Sequence, residues 1–223
     1  MNGYWAYYAL ILLSSYAAQN PYLAGGVVLL WLLRGVVPDP VVLWRALGRL
    51  GSMKAQAAAN PANVTVRRDL ARTYLELRRP RRALVFVLEA LERDPNDAEL
   101  LYLEGVALLR AGEPEAALAP LVRAVAVDPK LLYGEPYRVA AEALLRLDRL
   151  EEAEDALERF VEKNGSSIGT YVQLARVRSQ RGDRAGAREA VREAVATWSQ
   201  IPAFAKRREV LHWLHAHALR AWL

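Results

Sequence analysis

The chain has 223 residues, of which 53% are hydrophobic, and it carries a formal net charge of +5. This composition excludes a disordered chain and leaves room for one or two folded domains. The absence of cysteine excludes disulfides, thiolate zinc sites and cysteine nucleophiles.

The first 37 residues are strongly apolar. Residues 2–33 contain no basic side chain, so the positive start of a secretory signal peptide is missing. Gln19, Asn20 and Pro21 interrupt the segment and predict two helices over about 3–18 and 22–37, each about 24 Å long. Tyr and Trp side chains near the helix ends favour a membrane interface. We therefore predict a transmembrane helical hairpin over 1–37. A re-entrant or interfacial hairpin and a buried hairpin of a soluble domain remain open alternatives.

Basic residues follow directly after this predicted hairpin. Residues 34–82 contain 11 Lys and Arg against 3 Asp and Glu, a net charge of +8, whereas residues 83–223 have 19 against 22, a net charge of −3. Positive residues beside a membrane segment stay on the cytoplasmic side. The pattern predicts a multi-pass protein of the inner (cytoplasmic) membrane, with everything after the hairpin in the cytoplasm.

Residues 38–63 predict an amphipathic linker helix, over about 41–59. Trp44, Leu47 and Leu50 lie on one side of this helix, and Arg45 and Arg49 lie on another. The helix either lies along a membrane surface or caps the domain that follows, and both interpretations stay open.

A run of arginines at 78–82 is the strongest local charge feature. It either attracts anionic lipid headgroups or forms a solvated loop. Nucleic acid is not expected as a partner, because no aromatic residues are interleaved for base stacking. The candidate side chains for contact with membrane lipids are Arg34, Arg45, Arg49, Arg78, Arg79, Arg81 and Arg82.

Several residues recur after 34 positions in the part of the chain that follows. The recurring pairs are Ala83 and Ala117, Ala90 and Ala124, Asp94 and Asp128, and Pro95 and Pro129. Helical periodicity with this repeat length resembles the tetratricopeptide repeat (TPR) family, whose unit is a pair of helices. The resemblance implies an all-α solenoid of about four repeats over 64–201, with units at 64–97, 98–131, 134–165 and 168–201.

Some positions support the repeat pattern and others depart from it. Gly112 and Gly182 are predicted at the turns inside two pairs, because glycine tolerates the left-handed conformation that a helix end needs. Glu104 stands where the family has a leucine, Arg178 replaces an aromatic residue, and Gly165 replaces the final proline. The third unit follows a two-residue insertion.

Residues 202–223 predict one more helix, which would cap the solenoid. Its apolar positions are Val210, Leu211, Leu214, Ala218 and Leu219. Stacked repeats need a terminal unit that covers their open end.

The TPR resemblance implies a binding groove along the concave face formed by the first helix of each pair. The groove positions would be Arg68, Arg72, Tyr102, Val106, Arg138, Glu142, Val172 and Arg176. Chaperone adaptors of the family bind a peptide carboxylate with an asparagine where this chain has Val106, which argues against that kind of partner. The arginines around Tyr102 favour a partner segment with acidic or aromatic side chains.

No motif of catalysis or cofactor binding is present. The sequence lacks a glycine-rich phosphate loop, a G-x-S-x-G turn and H-E-x-x-H, and His212 and His215 have no nearby carboxylate to complete a metal site. We expect no enzyme, no metal and no cofactor. The predicted function is a membrane-anchored scaffold that holds a protein partner at the cytoplasmic face. The alternatives are an extracytoplasmic assembly factor and a structural subunit of a larger membrane complex.

Overall fold

The computed structural model describes Tyr22 and residues 40–60 and 62–222, and the chain divides into two compact units, 1–49 and 50–223. From residue 40 onward the described residues form ten α-helices and one short 3₁₀ helix, without a strand. The prediction of an all-α fold is confirmed. The predicted hairpin over 1–37 lies outside the described residues, apart from the exposed Tyr22.

The predicted localisation in the inner membrane is wrong. No helix within 40–60 and 62–222 combines the length and the apolar character needed to cross a membrane. This finding overturns the predicted localisation as a multi-pass inner-membrane protein with cytoplasmic repeats.

Eight of the helices form four consecutive pairs. The pairs are α2 (Val64–Glu76) with α3 (Pro80–Leu91), α4 (Ala98–Ala111) with α5 (Pro114–Val127), α6 (Glu135–Arg146) with α7 (Leu150–Lys163), and α8 (Ile168–Gln180) with α9 (Arg184–Gln200). Helix α1 (Pro40–Ala59) precedes them and α10 (Ala203–Trp222) follows them. Within 64–222 every two consecutive α-helices are in contact. The pairs therefore stack into a solenoid, in which each unit is stabilised by its neighbours.

Local sequence signals start these helices. The side-chain oxygens of Asn63, Asp97 and Asp183 accept hydrogen bonds from backbone N–H groups in the first turn of α2, α4 and α9. Pro80 and Pro114 occupy the first positions of α3 and α5, where their missing N–H is not needed.

The turn inside every pair contains one residue with positive φ. Gly112 and Gly182 have φ of 90° and 86°, as a left-handed turn requires. The equivalent positions of the first and third pairs hold Arg78 and Asp148, with φ of 55° and 58°. The turn geometry is thus the same in all four pairs although the residue type differs.

The two-residue insertion forms a distinct connection between α5 and α6. Leu132 and Tyr133 both have positive φ, 48° and 56°, inside a 3₁₀ segment at Leu131–Gly134. Both side chains are exposed. The extra residues therefore bulge outward instead of disturbing the helices on either side.

Helix α10 packs against both helices of the fourth pair. Its buried side is formed by Ala216 and by the half-buried Ala205, Trp213 and Leu219. Of the five apolar residues named from sequence, only Leu219 packs inward. The other four, Val210, Leu211, Leu214 and Ala218, are exposed. The side of α10 that looks apolar in sequence is therefore mostly the outer side.

Candidate protein-binding groove

The first helices of the pairs form the inner face of the solenoid. Helix α2 contacts α4, α4 contacts α6, and α8 contacts α10, while the second helices lie on the other side of this layer. The predicted groove residues belong to α2, α4, α6 and α8. Their side chains meet neighbours from the next pair, which sequence spacing alone does not reveal.

A cluster of charges joins the first two pairs. Asp97 accepts hydrogen bonds from the N–H groups of Glu99 and Leu100 at 2.9 and 3.0 Å and also forms an ion pair with Arg68. Arg68 lies 3.2 Å from Glu99, which also pairs with Arg72. Both arginines therefore have carboxylate partners in the chain, and this end of the groove is close to electrically neutral.

Tyr102 lies at the centre of the groove. Its half-buried ring has Glu135 and three arginines, Arg72, Arg110 and Arg138, close enough to affect its ionisation. Burial raises the pKa of Tyr102 above its usual value and Glu135 adds to the rise, whereas the arginines oppose it. The phenol therefore stays protonated and keeps an O–H donor in a basic environment.

Arg138 is held in place beside this tyrosine. Its guanidinium lies 2.7 Å from the Glu135 carboxylate, one turn earlier on α6. Burial is the largest single influence and lowers the pKa of Arg138, but the hydrogen bond and charge of Glu135, with the charges of Tyr102 and Glu142, together outweigh it, so that the pKa is raised. The side chain remains charged, and part of it is still accessible to a ligand.

The remaining predicted groove residues lie in different environments. Val106 and Val172 are buried and belong to the core rather than to an open surface. Glu142 pairs with Arg146 at 2.7 Å, and Arg146 also donates to the Leu109 carbonyl oxygen. Arg176 is exposed and contacts the His215 ring of α10.

A cavity of about 600 Å³ opens beside Arg138. Phe204 and Glu209 of α10, Ser167 and Phe160 form part of its wall, together with Glu135. Sequence analysis did not assign these residues to a site, because they come from the third pair, the residue before α8 and the last helix, and they become neighbours only when these elements pack. The apolar Phe204 at the start of the last helix was the one available signal.

The predicted basic surface residues do not form one cluster that the structure describes. Arg34 and the side chain of Arg45 lie outside the described residues, and Arg49 is exposed on α1. At the turn from α2 to α3, exposed arginines occupy positions 78, 79, 81 and 82.

The three histidines of the chain all lie on α10. Within 40–60 and 62–222 no three His, Asp or Glu side chains are placed to hold a metal ion.

Comparison with known protein families finds one match for the sequence. Residues 68–131 match the model of the tetratricopeptide repeat family. This part of the chain is similar to tetratricopeptide repeats. The match covers the first two helix pairs, and no curated protein sequence matches the chain.

Solved structures share this fold. A crystal structure of MamA is 22% identical, with a TM-score of 0.65 over 70% of this chain and 90% of that chain. MamA from Desulfovibrio magneticus RS-1 is 19% identical, with a TM-score of 0.65 over 71% and 88%. YrrB, described as a TPR protein with an unusual peptide-binding site, is 16% identical, with a TM-score of 0.61 over 92% and 97%. These likenesses show that the chain has the TPR solenoid fold.

Proposed function

We propose that the chain is a non-enzymatic TPR scaffold that binds a protein partner along the inner face of its first helices. The observation that carries the proposal is the Tyr102 centre, a half-buried phenol with Arg72, Arg110 and Arg138 around it. A scaffold role in protein–protein interaction fits the TPR fold and the family match. In this proposal the repeats are 64–97, 98–131, 134–165 and 168–201, the linker helix lies within 38–63, and 202–223 is the cap.

The chemistry of this centre favours a partner segment with acidic and aromatic side chains. Arginine has five N–H donors, so an arginine paired with one carboxylate can still donate to a second acceptor. The Arg72 and Arg138 side chains keep 46% and 37% of their area exposed. An aromatic ring of the partner could stack on Tyr102 while a carboxylate reaches Arg138. Arg68, Glu142 and Arg176 would contact the flanks of the same segment.

Affinity capture with the full chain tests this proposal. The chain would be used to isolate a partner from its source cells, and binding of that partner would then be measured with purified variants. We expect Tyr102→Ala and Arg138→Glu each to weaken binding about tenfold or more, as central anchors of an interface do. Matched controls are Val122→Ala and Arg82→Glu, which change exposed side chains on second helices.

The controls separate the inner groove from the rest of the surface. Loss of binding in the two groove variants, with both controls within about twofold of wild type, supports the proposal. Unchanged binding in the groove variants contradicts it. Loss confined to Arg82→Glu would assign the partner to the arginine run at 78–82 instead.

A further inference from the structure

The second helices of the first two pairs present apolar side chains to solvent at equivalent positions. On α3 these are Val85 and Leu88, which are 53% and 49% exposed. The residues 34 positions later on α5 are the exposed Ala119 and Val122, and Val122 is 65% exposed. At 100° per residue, positions three apart lie within about 60° of each other on a helix. Each helix therefore has one apolar strip on its outer side.

The charges around the two strips are opposite in sign. Two arginines flank a proline at the start of α3, and two glutamates flank a proline at the start of α5. The equivalent residues of opposite charge, 34 positions apart, are Arg79 and Glu113, Arg81 and Glu115, and Glu89 and Arg123. The last two also have partners inside the chain, so the two turns carry most of the contrast.

The arginines at the start of α3 are not neutralised by the chain itself. Arg79 and Arg81 are exposed, and within the described part of the chain neither forms an ion pair. Adjacent turns of the stack are close enough to pair, because Glu115 lies 3.4 Å from Arg149 of the third pair. Positive charge at a helix N-terminus opposes the helix dipole, and α5 and α7 have glutamates there instead. An acidic surface outside the chain would relieve this unfavourable arrangement.

The apolar strips are confined to the first two pairs. At the equivalent positions α7 has Asp155 and Glu158, and α9 has Glu189 and Arg192. All four side chains are exposed. The outer surface is therefore apolar only on the two helices whose first turns carry opposite charges, which indicates a contact limited to these two units.

A second copy of the chain is complementary to this surface. Equivalent helices of a repeat run in the same direction, so a two-fold axis parallel to α3 and α5 and midway between them places α3 of one copy opposite α5 of the other, in register. Arg81 then faces Glu115 and Leu88 faces Val122. The symmetry axis generates each of these contacts twice.

We propose that two copies of the chain associate through the outer sides of α3 and α5, with each arginine turn on the glutamate turn of the other copy. Helices of 12 and 14 residues present about 400 Å² in each copy, at 1.5 Å per residue and a width of about 10 Å. A total of about 800 Å² lies below the usual size of stable interfaces, so the dimer is weak and reversible, with a Kd of about 10–100 µM. The first helices lie on the other side of the layer, so both inner grooves stay open.

Disulfide cross-linking of the full chain tests the contact directly, because the chain has no cysteine of its own. The Leu88→Cys and Val122→Cys variants are mixed in equal amounts and oxidised. We expect a cross-linked dimer from the mixture, because facing residues of two packed helices are close enough for a disulfide. Either variant alone should give at least about tenfold less, since the symmetry axis keeps identical positions apart. The matched control is a mixture of Leu88→Cys with Arg192→Cys, an exposed position of α9, which should not cross-link.

Charge reversal tests the pairing of opposite signs, with sedimentation of the full chain as the measurement. Arg79→Glu with Arg81→Glu, and separately Glu113→Arg with Glu115→Arg, should each weaken the dimer about tenfold or more, because like charges then face each other. An equal mixture of the two double variants should associate as the wild-type chain does, because glutamates of one then meet arginines of the other in both halves of the interface. Both double variants keep a positive formal net charge, since the wild-type chain carries +5, so general attraction does not explain such a recovery.

A control variant and the salt dependence complete the design. Glu189→Arg with Arg192→Glu reverses two exposed charges on α9 and should leave association unchanged. Added salt should weaken the wild-type dimer, because its charges are exposed in each free copy. Circular dichroism of every variant verifies that its helix content is unchanged.

Each other result overturns the proposal. Absence of a cross-link between the Leu88→Cys and Val122→Cys variants would mean that the two outer strips do not meet. Association that withstands both charge reversals would place the contact on another surface. Weakening by both reversals without recovery in the mixture would mean that the two turns do not face each other. Weakening by the arginine reversal alone would assign that turn to a different acidic partner.

Discussion

At the scale of single residues, Gly105 is the described glycine at which an added Cβ atom would come closest to the other helix of its pair. A Cβ atom added to it would lie 2.5 Å from Cγ and 2.7 Å from Cδ2 of Leu121, and 3.2 Å from the Ala117 carbonyl oxygen. Leu121 is itself buried, and the contact involves its branch carbon as well as one methyl group, so relief requires the whole side chain to shift. We expect Gly105→Ala to lower the free energy of unfolding by about 1–3 kcal/mol, as overpacked cores do. Urea unfolding followed by circular dichroism measures this loss.

Gly51 provides the control for that substitution. It also lies inside a helix, but a Cβ atom there meets no atom within 4 Å. Gly51→Ala should therefore cause no loss, and its better helix propensity favours a gain of up to about 1 kcal/mol. Equal losses in the two variants would show that the close approach to Leu121 is not the cause.

The turn residues show how far sequence reasoning reaches at this scale. Gly112 and Gly182 could be predicted at left-handed positions, because glycine is the residue that tolerates positive φ best. Arg78 and Asp148 occupy the same positions in the other two pairs. Aspartate tolerates positive φ better than most residues but is far less specific for it than glycine, and arginine shows no such tolerance. Stacking of the helices on both sides fixes the backbone there and overrides local preference.

At the scale of helices, Arg178 connects three of them. Its guanidinium donates to Glu154 and Glu158 of α7 at 2.8 and 2.6 Å and to the Gly186 carbonyl oxygen of α9 at 3.3 Å. Burial is the largest single influence and lowers the pKa of Arg178, but the hydrogen bonds and the charges of the two glutamates together outweigh it, so that the pKa is raised. An ion cluster therefore takes the place of the aromatic residue that the repeat pattern has at this position.

Substitution of Arg178 tests the contribution of this cluster. Arg178→Met leaves the Glu154 carboxylate in a site where only 13% of the side chain is exposed. We expect the free energy of unfolding to fall by about 2–3 kcal/mol. This fall is smaller than for a fully buried pair because Arg181 still contacts Glu154. Thermal and urea unfolding measure the loss. Adding Glu154→Leu should restore at least half of it, because the uncompensated charge is then gone.

A surface pair of the same residue types serves as the reference. Arg159 pairs with Asp155 at 2.8 Å, and both side chains are more than half exposed. Arg159→Met should leave the midpoint of urea unfolding almost unchanged, because an exposed ion pair in water adds little to stability. If the two arginine substitutions cost the same, burial of the cluster contributes nothing.

The helices could be predicted from sequence, but their facing sides could not in every case. The 34-residue recurrence and the turn residues indicated paired helices, because both signals are local. Arg68 pairs with Asp97 and Glu99, which lie about 30 positions further along the chain. These residues become neighbours only when the pairs stack. On α10, Leu211 and Leu214 resemble core residues in sequence, yet Trp213 and Ala216 determine which side packs.

At the scale of the whole molecule, residues 64–222 form a linear stack. Each helix contacts its neighbours along the chain. Among the described residues, the main helix–helix contacts join only helices of the same pair or of adjacent units. In such a stack, stability is a sum of unit and interface terms, so local damage spreads only to adjacent units. The last interface consists of Ile168, Val172, Ala194, Ile201 and Ala216, with Trp198 and Trp213 beside them.

Two tryptophans of α10 allow a matched test of this linear behaviour. Trp213 packs into the last interface, whereas Trp222 is 77% exposed. Trp213→Ala should lower the stability of the last interface by about 3 kcal/mol, and Trp222→Ala should leave that stability almost unchanged. Hydrogen exchange read by mass spectrometry should then show faster exchange in α8–α10 of the Trp213 variant and unchanged exchange in α2–α5. Faster exchange along the whole solenoid would instead mean that residues 64–222 unfold as one cooperative unit, because a local loss would then lower the protection of every helix.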